Sequence, residues 1–148
     1  MVSIDIENLA SQIKWNDFES FVSSILEQNN FKTKKNFRFK TKRKYEIDIV
    51  AIKNNLVLCI DCKQWKGGRY KKYSMLKAIN EHENRVFEFI KFLEYNKAVK
   101  SELKISNNSK FQPIIVTLLD EGLIKENNTF IIPMWKLNSF LLEIEKYL

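Results

Sequence analysis

Glycine and proline are scarce in this chain of 148 residues, with three and two occurrences, so long flexible linkers are not expected and short polar turns rich in Asn and Lys should join the elements. Cysteine is almost missing as well. Cys59 and Cys62 have C-x-x-C spacing, but no second Cys or His pair completes the four ligands of a structural zinc site. On an extended segment the two thiols also point to opposite faces, which argues against a disulfide between them. Two thiols in a basic protein suggest a reducing cytoplasm. There is one histidine, His82, set between Glu81 and Glu83 in a helical pattern, where a bland helix position is the simpler reading than a catalytic one. No apolar run approaches the roughly 18 residues of a spanning helix, and the first ten residues, with Asp5 and Glu7, lack the basic start of a signal peptide. The expectation is a cytoplasmic protein with no membrane partner. Phosphate-cradling glycine loops, nucleophile and base pairings and cofactor motifs are also missing.

What is present is a large apolar fraction, 45%, with eleven phenylalanines, enough to fill the core of one domain without disulfide or metal staples. The net charge is +7, and its placement says more than its size. Between Lys32 and Lys44 stand eight basic residues (Lys32, Lys34, Lys35, Arg38, Lys40, Lys42, Arg43, Lys44) and no acidic one; the remaining 17 basic residues face 18 acidic ones. The excess is therefore one local patch, suited to a polyanion. Phe37, Phe39 and Tyr45, interleaved within or beside it, can stack on bases or pack inward. A solvated hairpin with its charges outward is the plain alternative.

The periodicities predict one α/β domain in the order αβββαββα. A first helix starts at Asn16 or Asp17 and ends near Asn29-Asn30, with Phe18, Phe21, Val22, Ile25 and Leu26 on its apolar stripe; a shorter helix over 5–13 is a weaker signal. Residues 31–40, 45–53 and 56–64 read as three consecutive strands, the last two separated by the turn-like Lys53-Asn54-Asn55. A long helix follows from about Ser74 to Lys100. Phe111 to Leu119 then suits a strand buried on both faces, Thr129 to Trp135 a fifth strand, and Leu137 to Tyr147 a last helix.

The chemistry-bearing stretch is Tyr45-Glu46-Ile47-Asp48-Ile49-Val50-Ala51 followed by Leu58-Cys59-Ile60-Asp61-Cys62-Lys63-Gln64-Trp65. Alternation along a strand puts Asp61 and Lys63 on one face, and a hairpin lets Asp48 approach it. Two carboxylates and an ammonium would then meet among apolar strands, an arrangement that is costly unless a metal or substrate compensates it. Such a group suits phosphodiester hydrolysis: carboxylate oxygens for magnesium, and a lysine that orients water or offsets transition-state charge. Glu46 lies on the Asp48 face, as a further ligand or as an edge charge paired with Lys44. Glu102-Leu103-Lys104 repeats the acid-x-Lys spacing, but past a helix and with no acidic strand before it. The plain alternative for the whole group is a pair of strand-end carboxylates bridged to lysines.

Tyr45 to Trp65, together with a preceding helix that bears Glu19, resembles the core of the PD-(D/E)xK nucleases, especially archaeal Holliday-junction resolvases and Mrr-like restriction endonuclease domains. The likeness covers about residues 15–120 in element order. It implies a restriction endonuclease-like αβββαβ core, a mixed central sheet flanked by helices, with an extra C-terminal strand and helix, and residues 1–148 as a single nuclease-like domain. By the same likeness Asp48, Asp61 and Glu19 are metal ligands for Mg²⁺, with Mn²⁺ as a substitute, Lys63 is the catalytic lysine, and Gln64 matches the glutamine that helps position the site in RecB-like members. Ile47 stands where the name-giving proline would be, and Asp61 where many resolvases carry Glu. Neither departure removes a functional group. The expected activity is a DNA endonuclease of repair, recombination or restriction, with RNA left open, and the alternative is a nucleic-acid-binding subunit that cuts nothing. Lys34, Lys35, Arg38, Lys40, Lys42, Arg43 and Lys44, and beyond the site Lys66, Arg69, Lys71 and Lys72, are the expected phosphate contacts. A homodimer is expected from the resemblance and from the apolar run Phe130 to Trp135, which a monomer should not leave at a sheet edge.

Overall fold

The structure is a computed structural model, and it describes residues 15–65, 72–118 and 122–148. The expected helix over 5–13 lies outside them. Helix α1 (Trp15–Gln28) leads into strands β1 (Lys32–Lys40), β2 (Lys44–Lys53) and β3 (Leu56–Lys63). Helices α2 (Lys72–Tyr95) and α3 (Lys97–Glu102) follow, then β4 (Lys110–Thr117), β5 (Ile124–Glu126), β6 (Thr129–Pro133) and α4 (Leu137–Leu142), with single 3-10 turns on either side of α4. The six strands form one mixed sheet in the order β1-β2-β3-β4-β6-β5. β1, β2 and β3 are an antiparallel meander, β4 and β6 run parallel to β3, and β5 is antiparallel to β6.

Asparagines supply the backbone conformations that the scarce glycines do not. Asn30 (φ 68°), Asn54 (φ 53°) and Asn127 (φ 53°) take the left-handed region at the end of α1 and in the β2-β3 and β5-β6 turns. At the end of α1 the N–H of Phe31 donates to the Leu26 carbonyl at 3.1 Å and that of Asn30 to Glu27 at 3.0 Å, the paired bonds that close a helix on a left-handed residue. Phe18, Val22 and Leu26, one helical turn apart and fully buried, press α1 onto one face of the sheet, where Leu137, Phe140 and Leu141 of α4 join the same core. On the other face α2 lies obliquely. Its first half packs Met75 and Ile79 on Ile115 and Ile131, and its second half packs Val86, Phe89 and Leu93 against β1, β2 and β3.

Three expectations change. The long helix is interrupted at Asn96, whose side-chain amide turns back to the Phe92 carbonyl at 2.8 Å, so α2 stops at Tyr95 and α3 starts afresh. The expected last helix stops at Leu142 and gives way to a 3-10 turn (Ile144–Lys146). The short strand β5 has no apolar alternation to reveal it; pairing with β6 around Asn127-Asn128 creates it. As a result β6 lies inside the sheet, and Phe130 to Met134 are buried between β4, β5 and α4. The apolar run that pointed to a dimer is core.

Phe37 and Phe39 settle the question of stacking or packing. They face inward against Phe89 at 5.3 and 5.5 Å between ring centroids, and Tyr45 stacks on Phe39.

Candidate active site

Regular alternation fails at one place in β2, and the site is there. Ile47 belongs to the core under α2, while Ile49, two residues on, belongs to the core under α1; in a regular strand both would share a face. Opposite it in β1, Asn36 at φ 53° is the residue across from Asp48 in the register. A left-handed residue in one strand and a local turn of face in the other thus coincide. At the same point the sheet forks. β2 pairs with β3 only from Ile49 onward, opposite Ile60; upstream of this β2 stays with β1, and downstream of Ile60 β3 stays with β4 as far as Lys63.

Asp48 and Asp61 stand at the mouth of that fork. Asp48 Oδ2 accepts the backbone N–H of Cys62 at 2.9 Å, an amide that β2 no longer serves. Asp61 is buried at 6% exposure, with Lys63 Nζ 3.4 Å from Oδ2 and Arg85 Nη1 3.8 Å from Oδ1. Burial pushes the Asp48 carboxyl up to about 7; the Cys62 N–H works against that, and the neighbouring carboxylates of Asp61 and Glu19 push it further up. Glu19, buried on α1, therefore joins the group electrostatically. Cys59 and Cys62 are both buried free thiols in opposite cores, and burial drives each thiol upward, so neither offers a thiolate.

The donor chemistry suits a hard divalent cation. Two adjacent carboxylates, one of them pushed up chiefly by burial, gain compensation from such an ion. Magnesium keeps several waters and needs only one or two protein carboxylates besides substrate oxygens. Among the described residues no three Cys, His, Asp or Glu side chains are arranged to hold a metal ion; the carboxylates that the structure brings together here are those of Asp48 and Asp61, with Glu19 near enough to act on Asp48.

A family model described as a nuclease-related domain (NERD) matches residues 14–118. The chain belongs to the nuclease-related domain family. It is 31% identical over 137 residues to an uncharacterised protein of Archaeoglobus fulgidus, a match that takes in 92% of this chain and 95% of that one. A crystal structure of a protein of unknown function overlaps 82% of this chain with a TM-score of 0.40 and 19% identity, and the chain spans about half (53%) of it. The mixed six-stranded sheet between helices fits a nuclease-like fold, and the matched span of the nuclease-related domain contains the whole fork, from Glu19 through Lys63 to β4.

Other expected residues fall around this centre. Gln64 follows β3 directly and is half-buried, while Trp65 packs toward Met75 and Ile79. Lys34, Lys35, Arg38, Lys40, Lys42, Arg43 and Lys44 are exposed on β1 and its turn into β2. Because β2 runs antiparallel to β3, that turn lies at the sheet end where β3 delivers Lys63. Arg38 is drawn to Glu46 at 3.5 Å, so Glu46 is an edge charge with a partner other than Lys44. Glu88, buried on α2, accepts the Thr41 hydroxyl at 3.0 Å and ties the turn down. Lys72 opens α2 and is exposed; Lys66, Arg69 and Lys71 lie outside the described residues. Glu102 and Lys104 sit at the end of α3, on no strand. No described helix is long and apolar enough to cross a membrane.

Two residues escaped the sequence reading. His82 is no bland helix position: it is fully buried, with Nε2 2.8 Å from the Cys59 carbonyl and Nδ1 3.0 Å from Arg85 Nη1. Arg85 reaches Asp61. The i, i+3 spacing on one helix face was available, but only the crossing of α2 over β3 says what that face meets.

Proposed function

We propose that the protein is a metal-dependent nuclease that hydrolyses phosphodiester bonds in DNA. The supporting observation is the convergence of Asp48, Asp61 and Lys63 at the fork between β2 and β3, beside an exposed basic turn. Asp48 and Asp61 would hold Mg²⁺ or Mn²⁺, which when bound polarises a phosphoryl oxygen and makes a bound water more acidic. Lys63 carries three donors on Nζ; it orients the attacking water and offsets the charge that grows on the phosphoryl oxygens. Buried Asp61 stays fixed between Lys63 and Arg85, so little reorganisation is needed when substrate arrives. The basic turn grips phosphates and reads no bases, which suits endonucleolytic action on branched or duplex DNA of the kind that repair, recombination and restriction enzymes cut.

A second reading has its own observation. The ion pairs of Asp61 with Lys63 and Arg85 already balance its charge, as they would in a binding subunit that cuts nothing. One experiment separates the two. Labelled branched, duplex and single-stranded DNA, with RNA alongside, are incubated with the protein in Mg²⁺, Mn²⁺ or EDTA, next to Lys63→Met and Asp61→Asn variants. Cleavage that needs the ion and falls by about 10²-fold or more in each variant supports the nuclease. Retained binding with no cleavage of any substrate supports the binding subunit.

A further inference from the structure

We propose that Arg85, held in place by His82, contacts the substrate: its guanidinium takes a phosphate oxygen of the nucleic acid beside the bond that is cut. The inference rests on the nuclease reading above and adds a residue to it.

The His82 ring fixes the direction of every bond in the chain. A carbonyl oxygen only accepts, so Nε2, 2.8 Å from the Cys59 carbonyl, must carry the ring proton. Nδ1 is then the acceptor, and it takes Arg85 Nη1 at 3.0 Å. Complete burial favours this neutral form. A buried imidazole is a costly occupant of a core position where an apolar side chain would pack, and what this one achieves is to aim a guanidinium.

Asp61 does not use that guanidinium fully. Nη1 stops 3.8 Å from Asp61 Oδ1, beyond hydrogen-bonding distance, while the other oxygen faces Lys63. The Nε and Nη2 donors of Arg85 meet no acceptor among the described residues. The Arg85 side chain is 22% exposed, so it is partly open to solvent while His82 braces its Nη1. Parallel N–H donors on a rigid plane match two oxygens of a phosphate, a geometry that a lysine cannot offer. A phosphate seated there would lie next to Asp61 and Lys63, within the span of one phosphodiester group.

Binding and cleavage test this separately. Affinity for a fluorescent duplex is measured in EDTA over a range of salt, and cleavage of the same duplex in Mg²⁺. Arg85→Met should flatten the slope of log K against log salt by about 0.9, one phosphate contact, and lower cleavage at least tenfold. Arg85→Lys should keep the slope and still cut poorly, since a point charge does not fork. His82→Phe, which fills the space but offers Arg85 no acceptor, should leave the slope and lower the rate; His82→Gln, with a donor for the Cys59 carbonyl, should recover part of it. A purely structural role for Arg85 would move thermal stability and not the slope. Wild-type slope and cleavage in Arg85→Met, while Lys63→Met abolishes cleavage, overturns this inference alone; should Arg85→Met fail to fold, wild-type cleavage by Arg85→Lys overturns it. A wild-type protein that neither binds nor cuts overturns both readings.

Discussion

Raising the pH in the absence of divalent cations should weaken the fold through one side chain, Asp48. Its carboxyl titrates at about 7 in the folded protein, chiefly because it is buried, against an ordinary value of 3.8. Below about pH 4 both folded and unfolded chains hold the proton and the group contributes nothing. Above this the unfolded chain ionises first, so each further pH unit removes about 1.4 kcal/mol of folding stability until about pH 7, where the loss levels off. Over that interval of about 3 pH units the ceiling is about 4 kcal/mol; partial contact with water reduces it, and about 2 kcal/mol is the working expectation. Urea denaturation in EDTA between about pH 5 and 8, for wild type and Asp48→Asn, reads it directly. The Asn carbonyl keeps an acceptor for the Cys62 N–H and its amide can donate to Asp61, so the variant imitates the protonated acid. Its stability should be nearly flat over this range and exceed that of wild type at the alkaline end, and Mg²⁺ should restore wild type alone. Parallel pH curves for the two proteins would refute the reasoning.

Replacing Lys42, Arg43 and Lys44 together by Ala should weaken binding to unrelated DNA sequences alike and flatten the salt slope by up to about 3, at ~0.9 per phosphate contact; an unchanged slope would move the binding surface toward Lys72 and the segment before it. Phe89, fully buried with Phe37, Phe39 and Phe111 within 6.0 Å between ring centroids, anchors the core under α2. Phe89→Ala should cost about 3–5 kcal/mol by urea denaturation, and a loss below about 1 kcal/mol would mean that this aromatic cluster does not hold α2 to the sheet.

Strand alternation, helical stripes and asparagine-rich turns were enough to read the three-stranded meander, the first helix and the buried fourth strand from sequence, because each is written in local periodicity. The Asp48, Asp61 and Lys63 group was legible for the same reason, as two strands and a short turn leave one way to pair. Boundaries set by single side chains were not. Asn96 breaks α2 by bonding its own backbone, β5 exists only because β6 is beside it, and Phe130 to Met134 are interior only because α4 and β5 cover them. What the sequence by itself determined is the chemical inventory at the strand ends and the excess positive charge before them, since composition and period need no partner to be read. What only the tertiary structure decided is how charge is distributed among these groups: the fork that turns Asp48 to the Cys62 amide, the packing of α1 that brings Glu19 near Asp48, and the passage of α2 that sets His82 over Cys59 and Arg85 beside Asp61. Burial and distance fix those interactions, and both depend on which distant segments pack together.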